Sequence, residues 1–129
     1  MEKTIPKTET SIAHFYIEDD ILFMRSKKDA DINLETTIES IEARKKLQGD
    51  KKMLMLVDTR GVWQITSESR AYSTRKEVED LTIAMALLPG SNITTILVAN
   101  FFIKFNKPSV PTKLFKSEKK AIKWLNSFK

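Results

Sequence analysis

The stretch NFFIKFNKPSVPTKLF (residues 100–115) crowds phenylalanines and lysines around two prolines, and its reading decides the architecture. It directly follows the apolar run ITTILV (93–98). Continued as one strand through Phe105, that run would span about 13 residues, well beyond the usual ~5–6. A helix start accounts for it better. Asn100 is a strong N-cap after a strand. From that cap Phe101, Phe102 and Phe105 share one helical face, while Lys104 and Lys107 point away. Pro108 stops the helix, because the residue before a proline avoids helical dihedrals. Thr112–Phe115 then reads as a short strand with Pro111 at its start, where the missing N–H is tolerable. Ser117 caps a last helix with Ala121, Ile122, Leu125 and Phe128 inward.

Working back from this segment, ITTILV is expected to be a buried strand. A long helix precedes it, opened by Thr66 or Ser67 and closed by Pro89-Gly90, with Ala71, Val78, Leu81, Met85 and Leu88 as its core stripe. MLMLV (53–57) is a short apolar run that fits a strand buried on both faces. Before it, Asp31 or Asn33 caps a helix with Leu34, Ile38 and Ile41 on one face, ending at Gly49. His14–Glu18 and Ile21–Ser26 read as a hairpin around Asp19-Asp20. Lacking Asn-Gly or Asp-Gly, its loop is expected to exceed two residues. Residues 1–12 are polar and aperiodic and read as a loose leader, leaving 13–129 as one domain. The order is ββαβαβαβα, an α/β fold with a mainly parallel sheet and an N-terminal hairpin.

Composition narrows the class. The 129 residues, 41% hydrophobic, suit one domain with a real core. No apolar run approaches the ~20 residues of a spanning helix, and MEKTIPKTET has no secretory character. The absence of cysteine removes disulfides and thiolate chemistry, so a cytoplasmic protein is expected. The charge is uneven. From Lys104 to Lys129 eight lysines face one acid, Glu118, a net of +7, whereas the whole chain carries +5. A solvated lysine face is the simplest account. That segment has no arginine, the residue suited to bidentate base and phosphate recognition, so nucleic acid is not an expected partner.

The stretch LVDTRGVWQITSESRAY (56–72), the NFFIKFNKP segment (100–108) and PTKLFKSEKKAIKWL (111–125) resemble a STAS-type domain, and more closely the small stand-alone SpoIIAA-like bacterial proteins. The resemblance implies the fold of the anti-sigma-factor antagonists. In those antagonists a D-S-S-G motif carries the phosphorylated serine that switches partner binding. Here Thr66, Ser67, Glu68 and Ser69 fall on the four positions, so the aspartate, the switching serine and the glycine are absent and Glu68 stands where the phosphoserine would be.

Little suggests catalysis. The single histidine, His14, has no evident acid partner. Asp29–Asn33 imitates a calcium loop, but Leu34 and Ser40 stand where it needs glycine and glutamate. Gly49, Gly61 and Gly90 are too scattered to cradle phosphate, and no cofactor is expected. One constellation remains. Ligands of open parallel sheets bind beyond the carboxyl ends of the strands. There Asp58, Arg60 and Asn100 would join Thr66, Ser67 and Arg70 at a helix N-terminus, which attracts anions. Alternatively, Asp58 and Arg60 merely pair and Asn100 only caps. Trp63 and Trp124 read as packing residues.

The leading expectation is a non-catalytic regulatory or protein-interaction module, contacting a partner near residues 60–70. The alternative is a small-ligand or lipid-binding module, since SpoIIAA-like proteins also resemble Sec14-type carriers. A large apolar cavity would favour the latter. A homodimer is expected from the apolar residues on both faces of the hairpin HFYIEDDILFMRS (14–26), with Phe15, Ile17 and Phe23 on one and Tyr16, Leu22 and Met24 on the other.

Overall fold

The computed structural model describes residues 5–90 and 109–129. Strands β1 (Lys7–Glu9), β2 (Ala13–Glu18) and β3 (Ile21–Ser26) form an antiparallel meander. Thus part of the polar leader is an edge strand. Backbone pairing with β2 suffices to order it, and no apolar pattern is needed. The β2–β3 loop is two residues long, because Glu18 pairs with Ile21. Asp19 and Asp20 take φ of 51° and 65°, the positive values that a type I′ turn requires and that aspartate tolerates. This tight turn fixes the register, with Phe15 opposite Met24 and Tyr16 opposite Phe23. Consequently Phe15, Leu22 and Met24 share one face, and Tyr16, Ile21 and Phe23 the other.

Strand β4 (Ala30–Ile32) leads to α1 (Leu34–Gln48). Asn33 caps α1 in a capping box with Thr36, and Gly49 at φ 62° ends it. The buried face is only partly the expected one. It consists of Thr37, Ser40, Ile41, Arg44 and Gln48, while Leu34 and Ile38 are exposed.

Strand β5 (Met53–Thr59) is buried at every position. It is followed by β6 (Val62–Ile65), α2 (Ser67–Ser73), α3 (Lys76–Glu79) and β7 (Thr82–Pro89). The expected helix through Leu88 is therefore corrected: α2 and α3 are short, and TIAMALLP is a strand. It pairs in parallel with β5, Met55 opposite Met85 and Val57 opposite Leu87, and seven of its eight residues are buried or half-buried. A central strand with both faces covered shows no clean alternation, so helix-favouring Ala, Leu and Met can occupy it. The ITTILV strand and the phenylalanine helix after Asn100 lie outside the described residues. Strand β8 (Thr112–Leu114) and α4 (Glu118–Asn126), capped by Ser117, form as the opening segment implied, although Phe128 is partly exposed.

The main sheet has the order β1-β2-β3-β5-β7-β8, with the β3/β5, β5/β7 and β7/β8 pairs parallel. β4 and β6 form a small parallel pair. Two cores result from the alternation of side chains along each strand. On one face Phe15, Met24, Met55 and Val57 meet Ile32, Val62, Ile65 and α1 residues. On the other, Phe23, Leu54, Leu56, Ala86 and Leu88 meet Ala121 and Leu125 of α4. Both faces of the hairpin are covered within the chain, which removes the reason for expecting a dimer.

Candidate functional site

Following the outward parity of β3 and β5 past Phe23 and Leu56 leads to Arg25 and Asp58 on the α4 face. The same face brings Arg60, just beyond β5, and Glu118, in the first turn of α4. Asp58 accepts hydrogen bonds from Arg60 Nε at 2.9 Å, Arg60 Nη2 at 2.8 Å and the Arg60 backbone N–H at 3.0 Å. Arg25 Nη1 donates to Asp58 Oδ2 at 3.0 Å and to Glu118 Oε1. Its Nε donates to Tyr16 Oη at 3.0 Å. The Arg25 guanidinium also lies against the stacked Tyr16 and Phe23 rings, a favourable cation–π arrangement.

Burial acts to raise the Asp58 carboxyl, but the hydrogen bonds from Arg60 and Arg25 outweigh it and hold the group below its ordinary range. The Arg25 hydrogen bond holds Glu118 down as well, and Asp58 raises Arg60 in return. Two cations thus meet two anions, binding the ends of β3 and β5 to the start of α4. Such a group is a clamp, with neither a proton to exchange at neutral pH nor a spare charge.

The sign of its pH dependence follows. Both carboxyls are depressed in the folded protein, so their contribution is complete above the ordinary carboxylate pKa of about 4 and is lost as the pH falls through the lowered values. Wild-type stability, measured by urea unfolding between pH 5 and 2, is expected to fall more steeply than that of Arg25→Met. Parallel slopes would contradict the clamp.

The remaining predicted site residues lie elsewhere. Thr66 caps α2 and accepts from the Ser69 N–H at 3.2 Å. Ser67 and Glu68 are exposed, and Ser69 is buried, with its Oγ 2.5 Å from Thr37 Oγ1. Arg70 Nη1 donates to the Ile65 carbonyl at 2.9 Å. Ser69 and Arg70 adjoin Met55, Val57 and Thr59, on the α1 face of the sheet. The expected single crevice is therefore split by the sheet, because Asp58 and Thr59 point to opposite sides. Asn100 lies outside the described residues. Arg25 and Glu118 were missed. The signal was present in the parity that carries Phe23 to Arg25, and in an acid directly after the Ser117 cap.

Two further features flank these groups. Arg60-Gly61 turns β5 into β6, where Trp63 is 67% exposed rather than packed. On the α1 face an apolar cavity of about 150 Å³ is lined by Phe15, Met24, Met55, Val57, Ile65 and Arg44, among others. No helix among the described residues is long and apolar enough to cross a membrane.

A family model described as "Domain of unknown function (DUF7793)" matches residues 15–129. Among solved structures, the chain is similar to an uncharacterized protein of the DUF3478 family with a SpoIIAA-like fold from Shewanella loihica PV-4. The TM-score is 0.52 at 15% identity, covering 95% of this chain and 92% of that one. At this identity the likeness establishes the fold, which is SpoIIAA-like as the sequence resemblance implied. A protein with unknown function from Arthrobacter sp. FB24 is 28% identical, with TM-score 0.30, over 84% of this chain and 93% of that one. No curated protein matches.

Proposed function

The chain belongs to the family described as Domain of unknown function (DUF7793), and from its own geometry we propose that it is a non-catalytic module that docks a protein partner through the β5–β6 turn and the exposed start of β6. The observation that carries this reading is Trp63, 67% exposed in β6 just past a turn whose Arg60 is held by a bidentate pair with Asp58. Tryptophan and arginine are the side chains that most often dominate protein interfaces. A surface fixed beforehand loses little freedom on binding, which favours affinity. The partner that fits offers an apolar notch for the indole, beside an acceptor for the outer edge of Arg60. The neutral clamp supports a structural role for Asp58 and Glu118, and hence a non-catalytic reading.

Capture from native lysate on immobilised wild type, Trp63→Ala and an Ile83→Ala surface control tests the proposal. One protein is expected to be held by wild type and by Ile83→Ala and lost from Trp63→Ala. Identical captures on all three would contradict it.

The cavity favours a second reading, the small-ligand module. Its volume of about 150 Å³ matches a cavity that holds benzene and falls short of the ~300–1,000 Å³ of drug-sized pockets. A small ligand suits it, whereas a lipid chain of Sec14 type does not.

A further inference from the structure

The inner face of the helix over the cavity is unusually polar, with Ile41 as its buried apolar residue. Thr37, Ser40 and Arg44, spaced i, i+3 and i+7, face inward, whereas Leu34 and Ile38 face solvent. Burying polar side chains over an apolar floor is unfavourable unless each finds a partner. Thr37 and Ser40 do, through Ser69 and the Thr36 carbonyl. Arg44 does so only in part. It is 3% exposed, and its Nε donates to Gln48 Oε1 at 2.8 Å. Its Nη2 donates to Thr82 Oγ1 at 3.0 Å and the Leu81 carbonyl at 3.2 Å. All three acceptors are neutral. Among the described residues Arg44 has no ion pair, and Nη1 has no hydrogen-bond partner. Glu79, the carboxylate that also lines the cavity, accepts instead from Ser109.

A buried cation without a counter-charge is a strained arrangement, and removing such a charge from water is strongly unfavourable. Burial pushes the Arg44 guanidinium down to about 10, still far above neutrality, so the charge persists. The walls that Arg44 shares are Phe15, Met24, Met55, Val57, Ile65 and Met85.

We infer that the cavity beneath α1 is a site for a small amphipathic carboxylate, its apolar body against the methionine and valine floor and its carboxylate on Arg44. Arginine suits that role through its planar fork of donors. The inference rests on the small-ligand reading and adds the charge of the ligand. The cavity size selects bodies near that of benzene.

Benzoate and its neutral counterpart benzyl alcohol are the probes, titrated into the full-length protein at constant ionic strength and followed by methyl NMR of Met24, Met55, Val57 and Ile65. Benzoate is expected to shift these methyls and to bind about tenfold or more tightly than benzyl alcohol, as for a hydrogen bond to a charged group. Arg44→Met is expected to abolish the preference while melting no lower than wild type without ligand. Equal binding of both probes to wild type would overturn the carboxylate inference and leave the cavity reading standing. Binding of neither, or benzoate shifts confined to the lysine-rich surface, would overturn both. The wild-type comparison decides even if Arg44→Met fails to fold.

Discussion

Asp58→Ala is expected to lower the unfolding free energy by about 2–4 kcal/mol, between the small worth of exposed ion pairs and the 3–5 kcal/mol lost when one partner of a buried pair is removed. Asp58 is nearly buried, at 8% exposure, and two guanidinium groups converge on it. Removing it leaves Arg25 and Arg60 facing each other with Glu118 as the remaining anion of the group. The change also frees the Arg60 backbone N–H, which Asp58 Oδ1 accepts at 3.0 Å. Chemical denaturation at neutral pH measures the loss. A companion variant, Arg60→Ala, is expected to lose less, because the Arg60 side chain is 55% exposed. Equal and negligible effects of both would mean that the four charges are only a solvated cluster.

Gly61→Ala is expected to cost about 2–3 kcal/mol, the upper part of the range for overpacking a close-packed site. A Cβ at this position would stand 2.7 Å from the Lys27 carbonyl oxygen, 3.1 Å from its carbon and 3.2 Å from the Ser26 oxygen. These atoms are backbone at and just past the end of β3, so the β5–β6 turn has to lift away to make room. That movement displaces Trp63 and Arg60 together. Thermal unfolding monitors the cost, and a variant as stable as wild type would show that the β5–β6 turn does not rest on the end of β3.

Much of the fold was legible in the sequence because local and tertiary signals agreed there. MLMLV is buried throughout, Asn33 and Gly49 bound α1, and Ser117 opens a helix with Ala121 and Leu125 inward. The misreadings came where they conflict. Ala71, Val78, Leu81, Met85 and Leu88 satisfy a helical spacing, yet Met85 and Leu88 belong to β7, whose position between β5 and β8 overrides the intrinsic preference of alanine and leucine. In α1, Ile41 is inward as its spacing suggested, but Leu34 and Ile38 are not, because the rest of the true inward face is polar. The site was legible in part. Asp58 and Arg60 were found and do pair, but Arg25 and Glu118 reach them from strands and helices far apart in sequence. No spacing rule links positions 25, 58 and 118. Only the sheet order, with β3 beside β5 and α4 packed below, brings them together.

The proposal that the β5–β6 turn and Trp63 form a docking surface is tested most directly by the affinity of the captured partner for purified wild type and Trp63→Ala, measured by calorimetry alongside the unfolding curve of each. If Trp63 is the anchor, the variant is expected to bind about 30-fold more weakly, the effect of a hot-spot side chain worth ~2 kcal/mol, with stability unchanged within about 0.5 kcal/mol as at an ordinary surface site. Equal affinities, in a variant as stable as wild type, would contradict the docking surface.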